Sequence, residues 1–354
     1  MTVHYKTERI TLLRGDAADL ADIADDSVDL IVTSPPYFGL RSYQDGGEHY
    51  DGQIGDEATP AEFVDALINA TREWMRVVKP SGSIWVNLGD KYAGSAGSSG
   101  YSDKSTLSGF TSANTKGRQM ATVKPRRITT TVPAKSLIGI PWRYALRCID
   151  DLGLILRAEV IWSKPNGLPE SVTDRVRRSH EQWFCFTLEP RYFSAVDEIR
   201  EPTSIGGRPV ATWAERKLAG NVTHAPDNGH STGTGMAPNP LGKLPGSVWT
   251  IPTQPLQVPE SLGIDHFAAF PMEWPRRIIQ GWSPAGGTVL DPFGGTGTTA
   301  LVANVLGRHG ISNDLSSDYC RLAQWRCTDP GQRASAMQVP KPDPVPEWQE
   351  ALPW

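Results

Sequence analysis

Cysteine is scarce: four in 354 residues, at 148, 185, 320 and 327. No two stand at CxxC spacing, and no histidine stands at zinc-ligand spacing from them, so neither a metal site nor a redox motif is expected. They read as reduced core residues. The chain also lacks any apolar run of the ~18 residues that suggest a membrane span. Its first ten residues, MTVHYKTERI, have no apolar signal-peptide core. The expected compartment is therefore the cytoplasm, with no membrane partner. Net charge is −4, which announces no polyanion. One local absence matters more. No acidic residue falls between Lys104 and Ile149, while Lys116, Arg118, Lys124, Arg126, Arg127, Lys135, Arg143 and Arg147 do. Such a stretch is either an electrostatic footprint for phosphates or a solvated loop.

What is present reads as α/β. VDLIVTS is a near-continuous apolar strand, the pattern of burial on both faces in a parallel sheet. A helix is expected from about Pro60 to Val78. Thr59 is its N-cap, Pro60 its first residue, and Glu62 completes a capping box. Phe63, Ala66, Leu67, Ala70, Trp74 and Val77 recur at helical spacing. TLLRGDAADL reads as a strand, a turn and a helix start. SIWVNL and LILRAEVIW read as strands, IPWRYALRCIDDLG as a helix closed by Gly153, and QWFCFTL with RYFSA as a hairpin. Residues 92–132 are rich in Gly, Ser and Thr, a long loop expected to be mobile. Residues 200–262 lose the pattern and leave Trp213 and Trp249 isolated, an insertion outside the regular sheet. The stretch from Pro330 is proline-rich and expected to be extended.

Near the C-terminus, VLDPFGGTGTTALVA places Gly295, Gly297 and Ala300 as G-x-G-x-x-A after a strand. That spacing lets backbone approach a ligand at a helix N-terminus. Asp314 ends the next strand, where a carboxylate takes ribose hydroxyls. The pattern indicates a nucleoside-containing cofactor. It is not a triphosphate loop, because Thr296, Thr298 and Thr299 stand where such a loop needs its lysine. A nicotinamide cofactor stays open, as does a glycine turn that merely packs helix on strand.

Near the N-terminus, DLIVTSPPYFGL ends a core strand in two prolines that have no N–H to donate. Ser34 and the Pro35 carbonyl are acceptors at a strand end, and Tyr37 is a flat face. A planar ring with an exocyclic amine satisfies all three. Two acceptors on the amine favour a pyramidal nitrogen and return its lone pair. A methyl on an adjacent sulfonium then needs mainly positioning. The alternative is a strand stop with a packed tyrosine.

TSPPY followed downstream by DPFGGTG resembles the S-adenosylmethionine-dependent amino-methyltransferases of DNA, in the motif order of their β group. The resemblance covers roughly 10–200 and 262–326. It implies a Rossmann-like, seven-stranded, mostly parallel sheet with helices on both faces and a circularly permuted strand order. It divides the chain into a catalytic half (1–199), a target-recognition insertion (200–262), a cofactor half (263–327) and a tail (328–354). Ser34, Pro35, Pro36 and Tyr37 match the catalytic turn. Asp16 matches the residue that takes the adenine amine. Phe267 and Pro271 match the segment holding the cofactor's methionine part. Asp291, Phe293, Gly295 and Gly297 match the cofactor loop, with Thr33 and Thr298 counted beside them. Asp314 matches the ribose acid, an aspartate where the family usually has glutamate. The implied partner is double-stranded DNA with its target base extruded, and Lys124, Arg126, Arg127, Lys164, Arg175, Arg177 and Arg178 are candidates for its phosphates. A cognate restriction endonuclease and a monomeric or homodimeric state are further expectations. A serine before Pro-Pro resembles the cytosine-N4 enzymes more than the adenine-N6 ones. The competing readings are adenine N6, an RNA or protein-glutamine modifier, and a non-catalytic DNA-binding protein of the same fold.

Overall fold

The computed structural model describes residues 1–39, 44–45, 48–49, 53–94, 132–167, 170–202, 204–205, 208–209, 239–264 and 269–341. Phe267, Lys124, Arg126 and Arg127 lie outside these, as do most of the 92–132 loop, much of the insertion and the chain after 341. The centre is a nine-stranded sheet built from β1 (Thr2–Lys6), β2 (Ile10–Arg14), β3 (Val28–Thr33), β4 (Val78–Leu88), β5 (Ile155–Ser163), β6 (His180–Thr187), β7 (Val248–Thr250), β8 (Thr288–Asp291) and β9 (His309–Asp314). Their spatial order is β1-β2-β9-β8-β3-β4-β6-β5-β7. From β2 to β4 all neighbours are parallel. β6 runs against both β4 and β5, β7 is parallel to β5, and β1 is an antiparallel edge. The expected mostly parallel sheet, β2 through β5, is thus widened by one strand on each side.

β3 explains the apolar run. All six of its residues are buried. Leu30 and Val32 face a core with Trp274, Ile278 and Leu301, while Val28 and Ile31 face one with Phe63, Trp74 and Tyr144. A strand covered on both sides needs apolar residues at both phases of its pleat. Asp29 is the exception. It accepts from Lys79 Nζ at 2.7 Å and from the Thr288 N–H at 2.8 Å, so it stitches β3 to both neighbours.

The helices are α1 (Pro60–Val77), α2 (Ile140–Asp150), α3 (Glu273–Trp282), α4 (Thr298–Val305), α5 (Ser317–Thr328) and α6 (Pro330–Met337). α1 starts with the expected capping box: Thr59 Oγ1 accepts from the Glu62 N–H at 3.2 Å, and Glu62 accepts from the Thr59 N–H at 3.0 Å. Its Trp74 is fully buried. The indole N–H donates to Ala17 O at 3.0 Å, and Phe293 meets the ring edge-on at 5.9 Å. One apolar face of α1 therefore fixes two loops, those of Asp16 and Phe293.

Four local expectations change. RYFSA is not a strand, because β5 already occupies the free edge of β6; instead the Phe193 and Ala195 N–H groups donate to Ser81 O and Gly281 O. No helix starts after β2. Residues 330–337 are helical rather than extended: Asp329 caps the Gln332 N–H at 2.7 Å, and Pro330 occupies the first turn, where its missing N–H costs nothing. Finally, the insertion does reach the sheet, through β7. Trp249 is not isolated but stacks on Trp274 of α3 at 5.0 Å, and Trp183 of β6 stacks on that same ring at 5.0 Å. Such ring pairs add stabilisation beyond their buried area, typically ~0.5–1.5 kcal/mol each. They hold a three-residue strand that ladder bonds alone would hold weakly.

All four cysteines are free and buried, and burial pushes the Cys148 and Cys327 thiols up to about 12. Among the described residues no His/Cys/Asp/Glu group is placed to hold a metal ion, and no helix is long and apolar enough to cross a membrane.

Candidate active site

Because β2, β9, β8, β3, β4, β5 and β7 point the same way, their C-terminal ends share one edge of the sheet, the usual place for ligands in such folds. The antiparallel β6 begins at that edge. A cavity of about 720 Å³ opens there. It is lined by Asp16 after β2, Ser34–Tyr37 after β3, Asn87 on β4, Lys164 after β5, Glu181 on β6, Thr253 after β7, Phe293–Thr296 and Thr298 after β8, and Asp314 ending β9. The proline and glycine turns, separated by some 250 residues in the chain, thus face one space. Its volume lies within the ~300–1,000 Å³ of small-molecule sites.

The glycine side rests on two carboxylates. Asp291 Oδ1 accepts from the Thr33 hydroxyl at 2.7 Å and the Phe293 N–H at 3.2 Å, and Oδ2 accepts from the Thr299 hydroxyl at 2.8 Å. Burial pushes this carboxyl up to about 7, against those donors. Asp314 Oδ2 accepts from the Gly295 N–H and Oδ1 from the Ser316 N–H, both at 2.8 Å. The three glycines differ. A Cβ at Gly294 would stand 1.8 Å from Ser312 Oγ, and one at Gly297 (φ +72°) 2.8 Å from Ala323 Cβ. At Gly295 (φ +48°) it would meet only Phe293 O, at 3.9 Å. Gly295 is the glycine that leaves bare backbone beside open cavity. Gly297 lets α5 pack against the turn. Gly297, Thr33 and Asp291 do not line the cavity but support its wall from behind. Pro271 does not line it either; its carbonyl accepts from the Trp274 N–H at 3.1 Å at the start of α3.

On the proline side, side chains do the holding. The Ser34 hydroxyl lies 3.2 Å from Asn87 Oδ1, and the Asn87 Nδ2 donates to Gln182 O at 3.0 Å. The Tyr37 hydroxyl lies 2.8 Å from both Asn87 Oδ1 and Glu181 Oε2, with one proton to give. Glu181 is also paired with Lys164, whose ammonium stands 4.0 Å over the Trp162 ring. A Cβ at Gly89 would lie 2.6 Å from Tyr37 Cε2, so that glycine makes room for the ring.

The candidate phosphate ligands are placed differently from one another. Lys164 is turned into the cavity rather than outward. Arg175 is paired with Glu170 at 2.7 Å and covers the Tyr92 ring. Arg178 pairs at 3.4 Å with Asp90, which caps the first N–H groups of α2. Arg177 donates to Gly167 O at 3.1 Å and is exposed. Sequence reading missed Asn87, Glu181, Gln53, Phe270 and Tyr319, all of which line the cavity. Asn87 carried a usable signal, a lone amide in an apolar strand. Glu181 carried none, because its place depends on the antiparallel run of β6.

The model of the DNA methylase family, the N6 and N4 methyltransferases, matches residues 28–325. The type II methyltransferase M.SmaI of Serratia marcescens is 34% identical over 316 residues, 89% of each chain. M.XycI of Xanthomonas campestris pv. cyanopsidis is 33% identical over 330 residues, 93% of this chain and 90% of its own. The solved structure of the cytosine-N4-specific PvuII DNA methyltransferase shares the fold, with a TM-score of 0.60 at 20% identity over 95% of this chain and 94% of the other. With both turns on one cavity and these likenesses, the chain belongs to the DNA methylase family, whose members transfer methyl groups from S-adenosylmethionine to the exocyclic amine of cytosine or adenine.

Proposed function

We propose that the two turns divide one reaction between them and that the base is cytosine, methylated at N4. S-adenosylmethionine supplies a methyl already activated on a sulfonium. The cavity suits it: Asp314 and Asp16 provide carboxylates, Phe293 an apolar face, and Gly295 bare backbone. The residues of the proline turn then hold the amine. Asn87 is committed through its Nδ2 to Gln182 O, so it must present its oxygen to Ser34. Ser34 accordingly donates to Asn87 and keeps its lone pairs for an incoming N–H. The Pro35 carbonyl accepts the second N–H, and Tyr37 stacks on the ring. This fixed polarity of Ser34 is the observation that carries the reading. It makes the turn an acceptor of amines without a charged base.

The serine that opens the turn favours cytosine. Double-stranded DNA supplies the base by extrusion, with Arg177 and the basic 104–147 stretch as proposed phosphate contacts. The type II names of the two relatives support a cognate restriction endonuclease as a proposed partner. The test is mass spectrometry of nucleosides from DNA of cells expressing the protein. Accumulation of 4-methylcytosine is expected. Accumulation of 6-methyladenine instead would overturn the base assignment, and neither modification would overturn the turnover itself.

A further inference from the structure

Val176 is 87% exposed, more than any other large apolar side chain among the described residues; the next, Val3, reaches 62%. It stands in the loop that joins β5 to β6. The Lys164 N–H donates to Ser179 O at 2.8 Å and closes that loop at its base. Lys164, Asn166, Gly167 and Glu181, at the two ends of the loop, all line the cavity. Val176 therefore projects from the cavity's rim.

A lone exposed valine is ordinary on most surfaces. Here the chain around it is braced, and three arginines do the bracing. Arg175 donates to Glu170 at 2.7 Å and to the Val176 carbonyl at 3.1 Å, and its guanidinium lies 3.7 Å over the Tyr92 ring. Arg177 Nη1 donates to Gly167 O at 3.1 Å. Arg178 is turned in against Asp90 and also donates to His180 O, each at 3.4 Å. The cations on both sides of Val176 thus engage the protein itself. They hold an apolar tip outward beside the pocket proposed for the base.

We propose that Val176 is a wedge that enters the duplex as the target base leaves it and fills the space between the neighbouring bases. The inference rests on DNA with an extruded base as the substrate. Extrusion gives up pairing and stacking, and an apolar side chain inserted between base steps replaces part of the lost contact. A β-branched side chain is stiff at χ1, so the tip meets the stack in one shape.

The test compares two duplexes carrying the protein's own target site, one fully paired and one with the target base mispaired and so easier to extrude. Val176→Ala should lower kcat/KM on the paired duplex by about tenfold, the scale of part of one base's stacking, and lower it little on the mispaired one. Val176→Leu keeps an apolar tip and should recover most of the paired-duplex activity. Affinity for S-adenosylhomocysteine, measured by calorimetry, should be the same in all three proteins. Equal losses on both duplexes, no loss on either, or no recovery by leucine would overturn the proposal. A wild-type protein that methylates neither duplex would overturn the reading of the activity, and the proposal with it.

Discussion

The glycine turn and the proline turn face the same cavity but are held in opposite ways. The glycine turn is braced largely from nearby chain: Asp291 holds Phe293 two residues on and Thr299 eight residues on, and Asp314 holds Gly295 nineteen residues back. The proline turn is braced from far away. Asn87 reaches Ser34 across 53 residues, and Glu181 reaches Tyr37 across 144. A turn that must hold a cofactor can be encoded as one motif. A turn that must hold a base borrows its geometry from strands laid beside it.

The comparison breaks most visibly at the points of ligand contact. Tyr37→Ala should lower kcat/KM on DNA roughly ten- to hundredfold, the scale of one lost base stack, while S-adenosylhomocysteine affinity measured by calorimetry stays nearly intact. Gly295→Val should do the reverse and abolish cofactor binding, because it places a side chain at φ +48° beside open cavity. A large cofactor loss in the first variant, or none in the second, would merge the two roles. Gly297→Val sharpens the contrast within the glycine turn. Its Cβ would crowd Ala323, so it should cost about 1–3 kcal/mol of stability, read as a lower melting temperature with or without cofactor.

Smaller effects follow from the tethers. Tyr37→Phe keeps the stacking face and loses the hydroxyl, so it should cost about 0.5–1.5 kcal/mol in transition-state stabilisation, read from kcat/KM. A separate pH effect arises at Asp291, whose carboxyl is raised from 3.8 to about 7 by burial. A raised carboxyl binds its proton more tightly when folded, so its contribution is greatest at low pH and is lost as pH rises through about 7. Asp291→Asn removes that dependence. Between pH 5 and pH 8 the wild-type melting temperature should fall more than the variant's; equal falls would refute the assignment.

Much of this was legible in the chain. α1 could be read residue by residue, because a capping box and an apolar stripe are local. β3 could be read because burial on both faces writes an unbroken apolar run. The glycine turn could be located, although its glycines could not be told apart. Gly297 serves α5 and Gly295 the cavity, and that distinction depends on where Ala323 packs. Lys164 looked like a phosphate ligand because its loop is basic, yet Glu181 and Trp162 draw it into the cavity. Trp249 looked isolated until α3 supplied the ring it stacks on.

By itself the sequence determined the two turns, their order and the elements that carry them, because strand ends, caps and glycine bends are set by neighbours in the chain. Only the tertiary structure decided that both turns share one cavity, which way Ser34 points its proton, and that Glu181 reaches the Tyr37 hydroxyl. Those facts depend on parallel strand ends meeting at one edge and on partners contributed by strands and helices distant in the chain, which no local pattern records.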